Sequence, residues 1–283
     1  MRDRFDQPSR TRAASLLTKA GTRYTVPAFD WAQVRGGELR KLGLIGGLSW
    51  VSTAMYYEQI NKGVIRRRGP LASPPLLIES LDFEAFSHLQ TSGDWDGAAE
   101  VLTASAKRLE DGGVEALVLC SNTAHKLYDR VAGEIGIPII HIGDVTAAKL
   151  VGDGVKRAGL IGTRFTMSDA FYRDRIEAHG ISVAVPDPGT AKEIDRIIFE
   201  ELVRGTVSRV SQRTLKTCLT IMGQARQQAV ILGCTELVLL VDPNANVLPV
   251  YDTTALHAQA AVDWILGGEL SLPAREEPAE AIA

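Results

Sequence analysis

The segments LGLIGGLSW (residues 42–50) and AGLIGTRFT (residues 158–166) resemble each other closely, and the second begins 116 residues after the first. A second pair behaves in the same way: VEALVLCSNTAH (residues 114–125) is echoed by QAVILGCTELVL (residues 228–239), with cysteines 114 residues apart. Each segment begins as an apolar run and then reaches glycine, cysteine or hydroxyl residues. The nearly constant spacing predicts one strand-and-helix unit that occurs twice, rather than a single long sheet.

Further apolar runs lack strict alternation, which is typical of strands covered on both faces of a parallel sheet. We expect strands at residues 41–45, 75–80, 116–120, 137–141, 157–161, 182–185, 229–232 and 247–249. Helical spacing of apolar residues occurs at residues 94–111, 167–179, 194–202, 215–228 and 254–266. The fold prediction is therefore α/β, with two pseudo-symmetric domains, each a mainly parallel sheet flanked by helices. Sites in such folds lie at the carboxyl ends of strands, so we expect one in the cleft between the domains.

The predicted domain boundaries follow from this pattern. Residues 41–137 together with 246–270 form the first domain, and residues 138–245 form the second. Residues 1–40 carry eight Lys/Arg against four Asp/Glu and show no period, which predicts a disordered N-terminal extension. Residues 271–283 are predicted to be a flexible tail.

Composition excludes several classes of protein. The chain has 283 residues, 45% of them apolar, and a net charge of −3, which gives no reason to expect a nucleic-acid partner. No apolar run reaches the roughly 20 residues of a membrane helix, so no membrane partner is expected. Three cysteines without CxxC spacing argue against a disulfide framework and against a zinc site, and they favour the cytoplasm.

The glycine turn at residues 46–49 does not have the spacing of a dinucleotide-binding loop, and no phosphate-binding P-loop occurs in the chain. Its glycines allow a tight turn that exposes backbone N–H groups beside a small acidic ligand. Ser49 is placed to cap the helix that follows.

Cys120 and Cys234 each follow an apolar strand and precede residues that favour a helix start. A thiol at the positive end of a helix has its pKa lowered from about 8.5, so we expect two reactive thiols in the cleft. Inversion of a carbon that bears hydrogen needs a base on one face and an acid on the other, and cysteine can serve as either. Cys218 lies within a helical segment and is predicted to be a core residue.

The substrate carboxylate can bind to N–H groups and side chains of Asn122, Thr123 and Thr235, and Ser121 is also expected to contact the substrate. These donors would also stabilise the negative charge that develops on proton removal. No metal cluster and no lysine in a pyridoxal context is visible in the sequence. The predicted reaction is therefore independent of cofactors.

The motifs LVLCSNTAH, VILGCTEL and GLIGGLSW resemble the aspartate/glutamate/hydantoin racemase superfamily, in particular its broad-specificity amino-acid racemases. The resemblance runs from about residue 41 to residue 267. It implies Cys120 and Cys234 as the acid/base pair, and usually a homodimer. It also implies that Leu48, Ser49 and Gln90 lie beside the substrate.

The resemblance further implies a basic residue for the side-chain carboxylate of acidic substrates, and Arg204 and Lys192 are the candidates. His125, His141 and His257 lie in or next to the shared motifs. They are either partners that orient a thiolate or, as we favour, neutral histidines that support the cleft.

We therefore predict a racemase that interconverts L- and D-amino acids, either aspartate and glutamate or a broad range, by proton transfer between two cysteines. A decarboxylase or a cis–trans isomerase that uses one cysteine is an alternative within the superfamily. A binding protein for a small acid, or one that responds to oxidation, is an alternative without catalysis.

Overall fold

The computed structural model describes residues 15–17, 23–25, 38–242 and 246–269. The chain divides into two units, Met1–Gly37 and Glu38–Ala283. In the first unit, strand β1 (Ser15–Leu17) pairs antiparallel with strand β2 (Arg23–Thr25). The rest of that unit, and residues 270–283, lie outside the described residues, so the predictions of a disordered extension and a flexible tail are not addressed there.

The predicted start of the folded part at residue 41 is slightly too late. The backbone N–H of Arg40 donates to the carbonyl of Ile265 at 3.1 Å, and its guanidinium lies over the ring of Trp264. Arg40 therefore belongs to the second unit.

The first half of the second unit contains a four-stranded parallel sheet. Its elements are β3 (Leu42–Gly46), α1 (Trp50–Arg68), β4 (Leu76–Ser80), α2 (Phe83–Ser92), α3 (Trp95–Asp111), β5 (Ala116–Leu119), α4 (Tyr128–Ala132) and β6 (Ile139–Ile140). The strand order across the sheet is β4-β3-β5-β6. Strands β3 and β5 are fully buried, as expected for the middle of a sheet covered on both faces.

The second half repeats this topology. Its elements are α5 (Ile142–Gly152), β7 (Arg157–Gly162), α6 (Arg164–Ser168), α7 (Ala170–Glu177), β8 (Ser182–Ala184), α8 (Pro188–Glu200), α9 (Arg209–Gln224), β9 (Ala229–Gly233), β10 (Val250–Asp252) and α10 (Thr253–Ile265). The strand order, β8-β7-β9-β10, matches that of the first sheet strand for strand, and every pairing is parallel. The predicted α/β fold with a duplicated unit is confirmed.

The two halves exchange their last helices. Helix α5 follows the first sheet but packs its Ile142, Ala147 and Leu150 into the core of the second. Helix α10 follows the second sheet but packs into the core of the first, with Leu42 and Leu44.

The exchange corrects the predicted domain boundaries. Strand β6, at residues 139–140, pairs with β5 and so belongs to the first sheet, whereas the prediction placed it in the second domain. Strand β10 pairs with β9 in the second sheet, whereas the prediction placed it in the first domain. The sequence does not show these boundaries, because β6 and β10 each belong to one sheet while the helix that follows each of them packs against the other sheet.

Local differences from the predicted elements have identifiable causes. The strand expected at residues 247–249 lies at Val250–Asp252, after Pro249, a residue that cannot donate a ladder hydrogen bond. The helix expected at residues 167–179 is broken at Asp169, which is extended, with φ −83° and ψ 146°. Helix α8 begins at Pro188, six residues before the predicted start, because Asp187 caps it and proline favours the first helical turn. Among the described residues, no helix is both long and apolar enough to cross a membrane.

Candidate functional site

A pocket of about 480 Å³, counted to its open mouth, lies where strands of both sheets end. Polar lining residues follow β3, β5, β7 and β9, the two central strands of each sheet. The lining residues are Leu48, Ser49, Phe83, Gln90, Ser121, Asn122, Thr123, Thr163, Phe165, Ile198, Phe199, Val203, Gly233, Cys234, Thr235 and Glu236. The duplicated fold thus brings the ends of equivalent strands to one cavity.

The glycine turn forms one wall of the pocket. Gly47 has φ +73°, and a Cβ there would lie 2.2 Å from the backbone of Leu81, so the turn needs glycine. Ser49 adopts φ +91°, which is uncommon outside glycine, and its side chain caps α1 by accepting from the N–H of Ser52. Leu48, Ser49 and Gln90, which the resemblance assigned to substrate binding, all line the pocket and are buried.

The end of β5 contributes Ser121, Asn122 and Thr123, all of which line the pocket. They lead into a 3₁₀ turn, Thr123–Leu127. The Ser121 hydroxyl accepts from the N–H of Ala124 at 3.4 Å. The hydroxyl of Thr123 lies 3.1 Å from that of Thr163, which follows β7. This contact joins the first half of the fold to the second at the pocket.

Asn122 has a hydrogen-bond acceptor that no described residue uses. Its Nδ2 donates to the hydroxyl of Thr253 at 3.0 Å, and that hydroxyl donates to the carbonyl of Leu232 at 2.7 Å. Its Oδ1 is buried and has no partner among the described residues. An unpaired buried acceptor is costly, so this oxygen is suited to accept from a donor on a ligand.

The end of β9 contributes Cys234, Thr235 and Glu236, with a 3₁₀ turn at Thr235–Leu239. The thiol of Cys234 donates to Oε2 of Glu236 at 3.2 Å, and the hydroxyl of Thr235 donates to the same oxygen at 2.5 Å. Glu236 is only 3% exposed, and within the described part of the chain it has no ion pair. A buried carboxylate without a cation favours a positively charged ligand.

The expected lowering of the thiol pKa values is wrong. Burial raises the pKa of the Cys234 thiol well above its usual value, and the negative charge of Glu236 adds to the rise. Burial also raises the pKa of the Cys120 thiol. Each cysteine precedes a five-residue 3₁₀ turn rather than a long helix, so the favourable helix field that the prediction assumed is weak.

Cys120 and Cys234 do not occupy equivalent positions in the two halves. Leu42 of β3 pairs with Ala116 of β5, and the matching Ala158 of β7 pairs with Ala229 of β9. Counting along the strands, Cys120 therefore corresponds to Gly233. The residue that corresponds to Cys234 is Ser121. An alignment that matches the two cysteines is thus shifted by one residue relative to the register of the sheets.

The alternation of side chains shows the consequence. Ala116, Val118 and Cys120 point into the core that contains α1 and α10, where Cys120 is fully buried. Leu117 and Leu119 point to the opposite face. Because a shift of one residue in a strand moves a side chain to the other face, Ser121 lines the pocket and Cys120 does not. Of the two predicted cysteines, only Cys234 therefore lines the pocket, and Ser121 lines it where the prediction placed Cys120.

Two of the three histidines are neutral supports. The N–H of Ile142 donates to Nε2 of His125, so the proton of this ring is on Nδ1, which donates to the carbonyl of Ser121 at 2.8 Å. Nε2 of His257 donates to the carbonyl of Ile140. Burial lowers the pKa of His125 to about 4 and that of His257 to about 3.

His141 has a different local role, because its Nδ1 accepts from the N–H of Gly143 at the start of α5. His125, by contrast, holds the backbone of Ser121 in place. None of the three histidines lines the pocket.

The structure does not bring Arg204 or Lys192 into the pocket. Both are exposed, and neither is among the lining residues. Arg204 ends the 3₁₀ turn Leu202–Arg204, whose middle residue, Val203, faces the cavity instead. Among the described residues, no lysine or arginine lines the pocket.

Apart from Leu48, the apolar part of the lining was not predicted. Its remaining residues come from four separate elements or turns and are Phe83, Phe165, Ile198, Phe199 and Val203. The one signal in the sequence is the position of Phe165, three residues after the end of β7, as Ser49 is after β3.

Comparisons with known proteins agree with this architecture. A family model described as Asp/Glu/Hydantoin racemase matches residues 45–261. The crystal structure of a candidate Asp/Glu racemase from Yersinia pestis is 42% identical, covers 81% of this chain and 100% of its own, and superposes with a TM-score of 0.76. An aspartate racemase homologue from Pyrococcus horikoshii is 31% identical, with a TM-score of 0.70 and coverage of 80% and 99%.

The chain is also similar in sequence to the broad specificity amino-acid racemase RacX of Bacillus subtilis. It is 25% identical over 235 residues, which are 80% of this chain and 98% of the relative. The match of the family model covers most of the chain, both duplicated halves and all four strand ends at the pocket. The chain therefore belongs to the Asp/Glu/hydantoin racemase family.

Proposed function

We propose that this protein is a cofactor-independent racemase of small α-amino acids, and that Cys234 exchanges the proton at Cα. The observation that carries the proposal is the combination, in one pocket, of a thiol, an unpaired buried amide oxygen and a buried carboxylate without a cation. The homodimer and the cytoplasmic location that the sequence favours remain predictions, which sedimentation and cell fractionation would check.

The α-ammonium group of the substrate is proposed to bind between Asn122 and Glu236. Oδ1 of Asn122 can accept one N–H, and the Glu236 carboxylate supplies the negative charge. Both groups are buried, so a charge-assisted hydrogen bond here is stronger than one exposed to water.

The α-carboxylate is proposed to bind to the hydroxyl of Thr123 and to N–H donors at the two 3₁₀ turns, since the Thr235 hydroxyl already donates to Glu236. Thr123 and Thr235 are the first residues of these turns, and both line the pocket. Donors aimed at the carboxylate also stabilise the negative charge that moves onto it when the Cα proton leaves.

The side chain of the substrate is proposed to be neutral and largely apolar. The lining includes three aromatic side chains, Phe83, Phe165 and Phe199. No described lysine or arginine lines the cavity. A second carboxylate buried there would have no counter-charge, which is costly. The name of the Bacillus subtilis relative, a broad specificity amino-acid racemase, is compatible with a neutral substrate.

Substrate binding itself is proposed to activate the thiol. In the free pocket, burial and the charge of Glu236 hold the pKa of Cys234 high. A bound ammonium neutralises Glu236 and adds a positive charge nearby, which favours the thiolate. The thiolate then takes the proton from Cα.

The test is to incubate pure L- or D-enantiomers of leucine, methionine, alanine and aspartate with purified protein in deuterated water. No pyridoxal phosphate is added, and a chelator is present. We expect the opposite enantiomer with deuterium at Cα, faster for leucine and methionine than for aspartate. Cys234→Ala should abolish both label uptake and inversion. Absence of both from the wild-type protein with every amino acid would contradict the proposal.

A further inference from the structure

We propose that Ser121 is the group that donates a proton to the second face of Cα, so that this enzyme pairs one thiol with one hydroxyl rather than two thiols. The inference rests on the proposed function and concerns the face opposite Cys234. It follows from the register of the two sheets, which makes Ser121 the counterpart of Cys234.

Three observations support the assignment of this role to Ser121. Ser121 lines the pocket together with Cys234, whereas Cys120 is fully buried in the core on the other face of β5. The N–H of Ala124 donates to Oγ, so a lone pair is occupied and the hydroxyl proton remains available to a ligand. The carbonyl of Ser121 accepts from His125, which fixes the backbone at this position.

The Cys234 thiolate takes the proton from Cα, and the electron pair moves into the α-carboxylate. Ser121 Oγ gives its proton to the opposite face of Cα while it accepts one from a water molecule. The hydroxide that this leaves is neutralised by the proton that Cys234 returns to solvent. The product is the other enantiomer, and no oxidant or reductant is consumed.

A hydroxyl and a thiol are not equal partners. A thiolate forms near the working pH, whereas a serine hydroxyl is a weak acid and needs help to act as a base. The enantiomer whose Cα–H faces Cys234 should therefore exchange this proton with solvent more often than it inverts. Because free enantiomers have equal energies, kcat/KM must still be the same in both directions. The difference between the two groups therefore changes the ratio of proton exchange to inversion for each enantiomer. It does not change the ratio of kcat/KM in the two directions.

The experiment compares Ser121→Ala, Ser121→Cys, Cys120→Ala and Cys234→Ala in deuterated water, with each enantiomer of the amino acid that the wild-type protein converts fastest. Inversion is followed by chiral chromatography, label at Cα by mass spectrometry, and folding by the thermal midpoint.

For Ser121→Ala we expect inversion to fall by about 10²–10⁴-fold in both directions, the usual effect of removing a general acid. One enantiomer, and only one, should still take up deuterium with its configuration retained. Ser121→Cys should raise kcat/KM by about tenfold or more in both directions, since a thiol transfers protons more readily. Cys120→Ala is the matched control on the neighbouring residue and should keep inversion within about twofold.

Two results would overturn the inference while the proposed function stands. One is a Ser121→Ala protein that is folded and inverts its substrate at the wild-type rate. The other is a Cys120→Ala protein that is folded and has lost inversion, as a pair of catalytic thiols requires. A wild-type protein that neither labels nor inverts any amino acid would overturn both proposals together.

Discussion

The thiol of Cys234 donates a hydrogen bond to the carboxylate of Glu236, with Sγ 3.2 Å from Oε2. The two residues are separated by Thr235 in the sequence, and both are buried and line the same pocket. The carboxylate opposes ionisation of the thiol in the free protein and, in our proposal, attracts the ammonium group of the substrate. Glu236 therefore affects both the ionisation of Cys234 and, in our proposal, the binding of the substrate.

The first prediction concerns Glu236→Gln. Loss of the negative charge should lower the pKa of the Cys234 thiol, because a thiolate would no longer be repelled. The rate of alkylation of Cys234 by iodoacetamide, measured by mass spectrometry against pH, should therefore reach its midpoint at a lower pH than in the wild-type protein. KM for the amino acid should rise by about 10- to 100-fold, the usual value of a charged hydrogen bond.

Glu200→Gln is the control for that experiment, because Glu200 is exposed and pairs with Arg196 outside the pocket. It should change neither the alkylation midpoint nor KM. If the midpoint for Glu236→Gln stayed in place or moved to higher pH, the assigned role of the carboxylate would be wrong.

The second prediction concerns the two basic residues that the sequence offered for acidic substrates. Arg204 and Lys192 are exposed and do not line the pocket, so Arg204→Ala and Lys192→Ala should leave kcat/KM for aspartate and for leucine within about twofold of the wild type. Val203→Ala, on the residue before Arg204, removes part of the lining and should lower kcat/KM for leucine several-fold. A loss confined to aspartate in the Arg204 or Lys192 variant would show that the side chain reaches the substrate.

The third prediction concerns acid stability. His125 and His257 are buried and neutral, and burial lowers their pKa values to about 4 and about 3. In the unfolded chain they titrate near pH 6.5, so between that pH and about 4 the unfolded state binds protons that the native state does not. Each histidine should therefore reduce the free energy of unfolding by about 1.4 kcal/mol per pH unit as the pH falls through this window.

Urea unfolding at several pH values would measure the slope of that dependence. His257→Gln should make it shallower by the contribution of one histidine, whatever its effect on stability at neutral pH. His88→Gln, on an exposed residue, should leave the slope unchanged. Equal slopes for wild type and His257→Gln would show that His257 has the same pKa in the native and unfolded states, which would contradict the prediction.

The fourth prediction concerns the packing of the exchanged helix. A Cβ on Gly63, in the middle of α1, would lie 2.6 Å from Cγ2 of Val262 on α10. Gly63→Ala should therefore lower the thermal midpoint, since an overpacking cost of about 1–3 kcal/mol is on average larger than the helix-propensity gain of about 1 kcal/mol.

Gly152→Ala is the matched substitution at the end of α5, where a Cβ would meet nothing within 4 Å. The midpoint of that variant should be unchanged or slightly higher. A rise for Gly63→Ala equal to that of the control would show that α1 and α10 do not pack closely.

The sequence was sufficient for the family and for the architecture. Apolar runs that end in glycine, cysteine and hydroxyl residues identified the strands at the centre of each sheet, β3, β5, β7 and β9, to within a residue or so at each end. Their repetition predicted the duplicated unit because local hydrophobic patterning is what directs a strand into a buried parallel sheet. The same motifs predicted most of the polar residues that line the pocket, including Asn122, Thr235 and Gln90.

Tertiary structure alone decided which side chain at the end of β5 faces the cleft. A text alignment matches Cys120 with Cys234, but the hydrogen-bonded register of the two sheets makes Cys120 equivalent to Gly233 instead. Since neighbouring residues of a strand point to opposite faces, one residue of register exchanges a thiol for a hydroxyl at the pocket. The exchanged helices and most of the apolar wall of the cavity could not be predicted for a related reason. They depend on contacts between segments that are far apart in the chain, and a local sequence pattern carries no information about such contacts.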